Sequence, residues 1–174
     1  MAYNSEHNML LTSANDGTLG VFDLRKPILY AMSDNFNEDQ TAVCLMKNGR
    51  KVITSSAEGV INIFSWDWFG DCNDRIVGHP NSIQCMIKYD EDTVITGGED
   101  GLIRAVSVLP NRILAILGDP LDQEEGFHIQ AVTLSHDKKL IASCSPDDIV
   151  KIFDVSHLED RPKDGSFFDM DAYE

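Results

Sequence analysis

A chain of 174 residues is long enough for one domain with a sizeable core. It carries 14 Lys+Arg against 29 Asp+Glu, a net charge of −15, which argues against a surface built to displace counterions from a nucleic-acid backbone. Hydrophobic residues at 43% and charged residues at 25% exclude a disordered chain, and no apolar run approaches the roughly 18 residues of a membrane span.

In chain order, an apolar segment at Leu10-Leu11-Thr12 runs into Asp16-Gly17 and then an alternating segment ending at Phe22. An acid followed by glycine between two apolar runs predicts a hairpin, because glycine tolerates a positive φ. Short strands follow at 28–32 (ILYAM) and 42–47 (AVCLMK), then a second hairpin at 52–66 around Glu58-Gly59. The segments 75–78 (RIVG) and 82–88 (SIQCMIK) lead to a third at 94–108 around Asp100-Gly101. Strands at 112–117 (RILAIL) and 130–135 (QAVTLS) lead to a fourth at 141–155 around Asp147-Asp148. The acids that open these turns, at positions 16, 58, 100 and 147, stand 42, 42 and 47 residues apart. Four residues before each acid is a hydroxyl (Thr12, Thr54, Thr96, Ser143), and six after it an apolar residue (Phe22, Phe64, Val106, Phe153). Four strands per unit at this period predict an all-β repeat array in which each sheet packs on its neighbours. In the first unit only Ala2 and Tyr3 represent the lead-in strand, which is expected to be an outer one.

This pattern resembles the WD-repeat β-propeller family over residues 1–156. The resemblance implies a partial propeller of about four four-stranded blades, followed by a short acidic tail. In that family a buried relay joins a Trp, a hydroxyl, a His and an Asp. Its hydroxyl and acid positions fall here on Thr12 and Asp16, Thr54 and Glu58, Thr96 and Asp100, and Ser143 and Asp147; its histidine falls once, on His79 after Gly78. The Trp position holds Phe or Val throughout, so the blades are expected to be held mainly by apolar packing. The segments SSAEGVINIFSWDWFGDCNDR (55–75) and DGLIRAVSVLPNRILAILG (100–118) are similar to the WD repeat-containing protein 55 family. That similarity implies a nuclear, often nucleolar, scaffold for ribosomal RNA processing and ribosome assembly, with the cytoplasm as the other compartment. A WD ring commonly closes with seven blades, roughly 300 residues at this period. Four units are therefore expected to leave two apolar terminal faces open to association. The tail, 157–174, has a net charge of −4 over 156–174 (Arg161 and Lys163 against six acids), with Pro162 and Gly165, and is expected to be disordered. Its Phe167-Phe168 pair is a candidate docking motif.

No Gly-x-Ser-x-Gly, P-loop, Gly-x-Gly-x-x-Gly or His-Glu-x-x-His motif occurs, so no catalysis, cofactor or small-molecule substrate is expected. The cysteines Cys44, Cys72, Cys85 and Cys144 include no Cys-x-x-Cys pair; three lie in apolar runs and read as small hydrophobes of a reducing compartment. No basic stretch followed by an apolar one opens the chain, so no signal peptide is expected.

Protein partners are expected instead, with no membrane and no direct nucleic-acid contact. Residues 10–25, LLTSANDGTLGVFDLR, resemble the box through which some WD proteins dock on the adaptor of cullin-RING ubiquitin ligases; Phe22 stands where that box has Trp or Tyr. The alternative function is thus a ubiquitin-ligase substrate receptor, with Asp23 and Arg25 at the contact and Arg25 forking onto a partner carboxylate. In Trp66-Asp67-Trp68-Phe69, Trp66 aligns with core positions, whereas Trp68 and Phe69 are candidate exposed anchors. Arg104 and Arg112 are a candidate basic spot for ribosome-assembly factors on an otherwise acidic body.

Overall fold

Each predicted hairpin forms. The computed structural model describes residues 1–26, 28–117 and 127–159, and its strands make four antiparallel meanders. The first is β1 (Ala2–Asn4), β2 (Met9–Ser13), β3 (Leu19–Asp23) and β4 (Ile28–Met32); the second is β5 (Gln40–Met46), β6 (Lys51–Ser56), β7 (Ile61–Ser65) and β8 (Asp74–Ile76). The third is β9 (Ile83–Lys88), β10 (Thr93–Gly98), β11 (Ile103–Ser107) and β12 (Arg112–Leu117); the fourth is β13 (Ala131–Leu134), β14 (Leu140–Cys144) and β15 (Val150–Asp154). Among the described residues the fourth sheet therefore has three strands where four were expected. Glycine supplies the left-handed turn position at Gly17 (φ 84°), Gly59 (78°) and Gly101 (77°). Asp148 adopts it at 61° in the fourth turn, which a short polar side chain tolerates better than a branched one.

Strand alternation gives every sheet two apolar faces, and the faces meet in sequence. Leu11, Leu19 and Val21 of the first blade pack on Val52 and Phe64 of the second. Ile53, Ile61 and Ile63 of the second pack on Val94 and Val106 of the third, with Ile113 alongside. Ile95, Ile103 and Ala105 of the third pack on Ile141 of the fourth, with Phe153 alongside. Most of these side chains are fully buried, and burying each is worth about 1.5–3 kcal/mol.

The first strands of the sheets lie against one another, β1 on β5, β5 on β9 and β9 on β13, so the blades fan out from a shared inner edge. This corrects the expectation for the first unit. Its lead-in strand is an inner strand, and it pairs along its whole length with β2 (Ala2↔Leu11, Tyr3↔Leu10, Asn4↔Met9). After β15 a 3-10 turn, Ser156–Leu158, seats Leu158 beside Val155 in the last core cluster. The expected end of the repeats at 156 falls inside this turn; the rest of the tail from 160, with Phe167-Phe168, lies outside the described residues.

Because all four sheets run in the same sense, the acid-glycine turns collect at one end of the blades with the β4–β5 and β8–β9 connections. There the second and third blades meet tightly. A Cβ on Gly59 would stand 2.6 Å from the carbonyl oxygen of His79 and 2.7 Å from that of Asn81. Gly59→Ala is expected to lower the denaturant midpoint by the equivalent of about 1–3 kcal/mol, through a positive φ and a backbone clash. Gly70→Ala, where a Cβ meets nothing within 4 Å, is expected to stay within about 0.5 kcal/mol of the parent.

Candidate functional site

The hydroxyl and acid positions expected to form relays do not act as one device. In the third blade His79 Nε2 shares a 2.8 Å hydrogen bond with Thr96 Oγ1, and both residues are buried. Asp100, the expected next member, stays within electrostatic reach of the imidazole but spends its oxygens elsewhere. It accepts a forked pair from Arg104 and a further bond from the Leu102 backbone N–H at 3.2 Å. Arg104 sits directly across from Thr96 in the β10–β11 register, close enough to claim the carboxylate, and His79 Nδ1 is buried without a hydrogen-bond partner among the described residues.

The electrostatics follow from that substitution. Burial, and then the Arg104 charge, push the His79 imidazole down to about 4. Burial pushes Asp100 upward, but the Arg104 fork and the Leu102 N–H outweigh it and hold the carboxyl below its ordinary value. Arg104 is 6% exposed and engaged, so the expected basic spot of Arg104 with Arg112 does not form; Arg112 lies half-buried at the start of β12.

The second blade solves the same problem with a residue that sequence reading missed. Gln40 is 2% exposed, and its Oε1 accepts from Thr54 Oγ1 at 2.6 Å and from Asn62 Nδ2 at 3.3 Å. Asn62 faces Thr54 across β6–β7 as Arg104 faces Thr96 across β10–β11. Gln40 stands 14 residues before its threonine and His79 stands 17 before its own, so a fixed spacing cannot match them. The available signal was a polar residue opening the otherwise apolar strand AVCLM.

In the outer units no imidazole or amide takes part among the described residues. Thr12 Oγ1 donates to the Gly20 carbonyl at 3.4 Å, and Ser143 Oγ is buried without a partner among the described residues. Asp16 accepts from the backbone N–H and hydroxyl of Thr18, and Asp147 from the Ile149 N–H. These acids close their own turns and reach no histidine.

The candidate partner residues sort differently from expectation. Arg25 forks back onto Asp23 at 2.9 and 3.0 Å, and the Arg25 backbone N–H adds a third bond. The guanidinium that was to meet a partner carboxylate is thereby occupied within the chain, and it holds the Asp23 carboxyl below the usual range. Trp68 is 75% exposed, as expected, but Phe69 is only 3% exposed and packs edge-on against Trp66 with ring centroids 5.3 Å apart. The reason is the tight turn at Asp67 (φ 67°), where the Trp68 N–H bonds the Ser65 carbonyl; it throws Trp68 outward and returns Phe69 to the core. Trp66, expected in the core, is half-buried and stacks on His7 of the first blade at 4.7 Å.

Cys44 and Cys85 have thiols pushed up to about 11 by burial, which suits the role of small hydrophobes. No group of three metal-ligating side chains occurs among the described residues, and none of their helices is long and apolar enough to cross a membrane.

Charge is distributed unevenly between the two ends. The described loops of the acid-glycine end carry Asp16, Asp34, Glu38, Asp39, Glu58, Glu99 and Asp100, then Asp147-Asp148, and no Lys or Arg; the exposed Arg75 of β8 stands over Phe36, near Glu38. The loops at the opposite end carry Arg25, Lys26, Lys47, Arg50, Lys138 and Lys139 among their acids. The acidic insertion at 118–126 lies outside the described residues.

Radiating antiparallel meanders repeated along one chain are the architecture of a partial β-propeller, and the chain carries WD40 repeats. The family described as "WD domain, G-beta repeat" matches residues 70–105 and 121–154. Along 91% of its length the chain is similar to WD repeat-containing protein 55 of Arabidopsis thaliana (36% identical), Mus musculus (38%) and Homo sapiens (37%). Over 90% of its length it is 31% identical to WD repeat-containing protein JIP5 of Cryptococcus neoformans. It spans 44% of the Arabidopsis relative and 40% of the mouse and human ones.

The buried imidazole gives the fold a pH dependence with a definite sign. Its folded value of about 4 lies below the roughly 6.5 of an unfolded histidine, so the unfolded chain binds the proton more readily. The stability tied to neutral His79 is complete above pH 6.5 and lost as pH falls toward 4. Denaturation across this window is expected to show a steeper loss for the parent chain than for His79→Gln, a difference that is absent if the imidazole titrates normally.

Proposed function

We propose that this chain is part of a non-catalytic WD-repeat scaffold that works in ribosomal RNA processing and ribosome assembly, in the nucleus and chiefly the nucleolus. WD40 repeats are generally protein-interaction modules, and the relatives named WD repeat-containing protein 55 support the assignment to that kind of scaffold. The observation that carries the reading is the acidic end of the blades, whose described loops hold no Lys or Arg. A surface predominantly of one sign steers partners of the opposite sign and repels phosphate, and here the acids outnumber Arg75 and the Arg104 paired with Asp100. Its proposed partners are therefore Lys- and Arg-rich segments of assembly proteins, and RNA reaches the complex through them. With Arg25 engaged by Asp23, no observation favours the ubiquitin-ligase reading over this one.

The test is capture of assembly factors from nucleolar extract on tagged chain. Reversing charge at the acidic end (Glu38→Lys, Asp39→Lys, Glu58→Lys) is expected to cut capture at least about tenfold, each lost contact being worth on the order of 1 kcal/mol. Lys138→Glu with Lys139→Glu, at the opposite end, is expected to leave it unchanged. Equal loss from both sets, or RNA cross-linked by ultraviolet light directly to this chain, contradicts the proposal.

A further inference from the structure

Of the chain's two tryptophans, Trp68 is the exposed one, and among the described residues no ring or cation covers its indole. It is fixed in place. The Trp68 N–H donates to the Ser65 carbonyl at 3.0 Å, and Trp68 pairs with Ser65 beside the end of β7. A large ring held in water anchors an interface well, because covering it removes apolar surface at little cost in side-chain entropy.

Register fixes its neighbours. Asp74 pairs with Ile63, two residues before Ser65 on the same strand. Side chains alternate along a strand, so Trp68 and Asp74 share the face of Ile63, which packs on Val94 and Val106 of the third blade. Trp68 thus lies on one side of the seam between the second and third blades. On the other side is the β11–β12 connection, where Leu109 is 43% exposed and Pro110 is exposed too. Asn111 ties the two sides together: its Nδ2 donates to Asp74 Oδ2 at 2.5 Å, and its Oδ1 accepts from the Leu109 N–H at 2.9 Å. Both blades of this seam have a blade on either side within the chain, so a blade before the first or after the fourth would pack elsewhere.

Charge selects the partner. From Trp66 to Asp74 the connection carries Asp67, Asp71 and Asp74 and no Lys or Arg. Asp67 is exposed and makes no ion pair among the described residues. The cations alongside are engaged. Lys51, across β7 from Trp68, donates to Ser65 Oγ at 2.8 Å, and Lys47 donates to Asp92 and to the Leu109 carbonyl. Arg75 belongs to the other face and stands over Phe36. A planar cation uses both features of the seam, stacking on an indole while its N–H groups fork onto carboxylates. We propose that this seam docks an arginine-bearing segment of a partner protein, the guanidinium stacked on Trp68 and its N–H groups turned to Asp67 and Asp74. Leu109 and Pro110 receive the apolar side chain next to that arginine. The seam lies at the end opposite the acid-glycine turns, so this inference does not rest on the functional proposal above.

The probe is the peptide acetyl-Gly-Arg-Leu-Gly amide, titrated into isotope-labelled chain while the two indole N–H resonances are followed by NMR. The Trp68 resonance is the one missing from Trp68→Phe. The arginine peptide is expected to move it saturably, while the Trp66 resonance stays in place and reports an intact fold. A lysine peptide is expected to bind at least about twofold more weakly, and a citrulline peptide, planar but neutral, to leave the resonance where it was. Asp67→Asn, which the positive φ at this position tolerates, is expected to weaken arginine-peptide binding about two- to fivefold. The chain carrying Glu38→Lys, Asp39→Lys and Glu58→Lys is expected to respond at Trp68 like the parent, which separates this test from that of the acidic end. An unmoved Trp68 resonance, an equal response to citrulline, or a response lost in the acidic-end variant each overturns the proposal.

Discussion

A sheet with apolar side chains on both faces has no side to give to water, and this constraint organises the whole molecule. An ordinary two-layer domain satisfies a sheet by covering one face and wetting the other. Here Leu11 and Val21 point one way from the first hairpin while Leu10 and Phe22 point the other, and both sets are apolar. The only arrangement that buries both is a succession of sheets, each roofing the last. Stability is then a sum over adjacent pairs, and among the described residues the second and third blades are satisfied on both sides.

Polar groups buried between such sheets need partners, and each blade finds its own. Thr54 and Thr96 are wholly buried, and each is satisfied by a side chain at the entry to the blade's inner strand: the Gln40 amide, which opens β5, in one case, and the His79 imidazole, just before β9, in the other. The residues facing them, Asn62 and Arg104, differ as well, and Arg104 engages the Asp100 carboxylate. A neutral amide and a histidine held near 4 do the same mechanical work above neutrality, yet only the second titrates on acidification. The fold thus tolerates chemical variation in the link while keeping the blade-to-blade geometry, which is set by apolar contact.

How much of this was legible in the sequence follows the same division. The hairpins were readable because an acid-glycine turn between alternating strands is a local signal, and Gly17, Gly59 and Gly101 take the positive φ that signal requires. The strand lists were readable for the same reason. Which strand lies innermost was not, since it depends on contacts between blades, and so β1 was expected on the wrong edge. Gln40 escaped because its link to Thr54 spans a different distance from the link of His79 to Thr96. Phe69 was expected outside because strand alternation was carried through Asp67, where a positive φ resets it. Arg25 and Arg104 read as free cations because their carboxylate partners, two and four residues away, compete for them only once the turns close.

The functional picture rests on this architecture: apolar packing fixes the row of blades, and the loops at their two ends are left for partners, acidic at one end and mixed at the other. If packing between blades is what holds the fold, protection should follow the number of neighbours each blade has. Amide hydrogen exchange on the chain measures this hairpin by hairpin. The account predicts slowest exchange in β6–β7 and β10–β11, which are roofed on both sides, and faster exchange in β2–β3 and β14–β15. Equal protection in all four hairpins would mean that each sheet is stable by itself, contradicting the dependence of every blade on its neighbours.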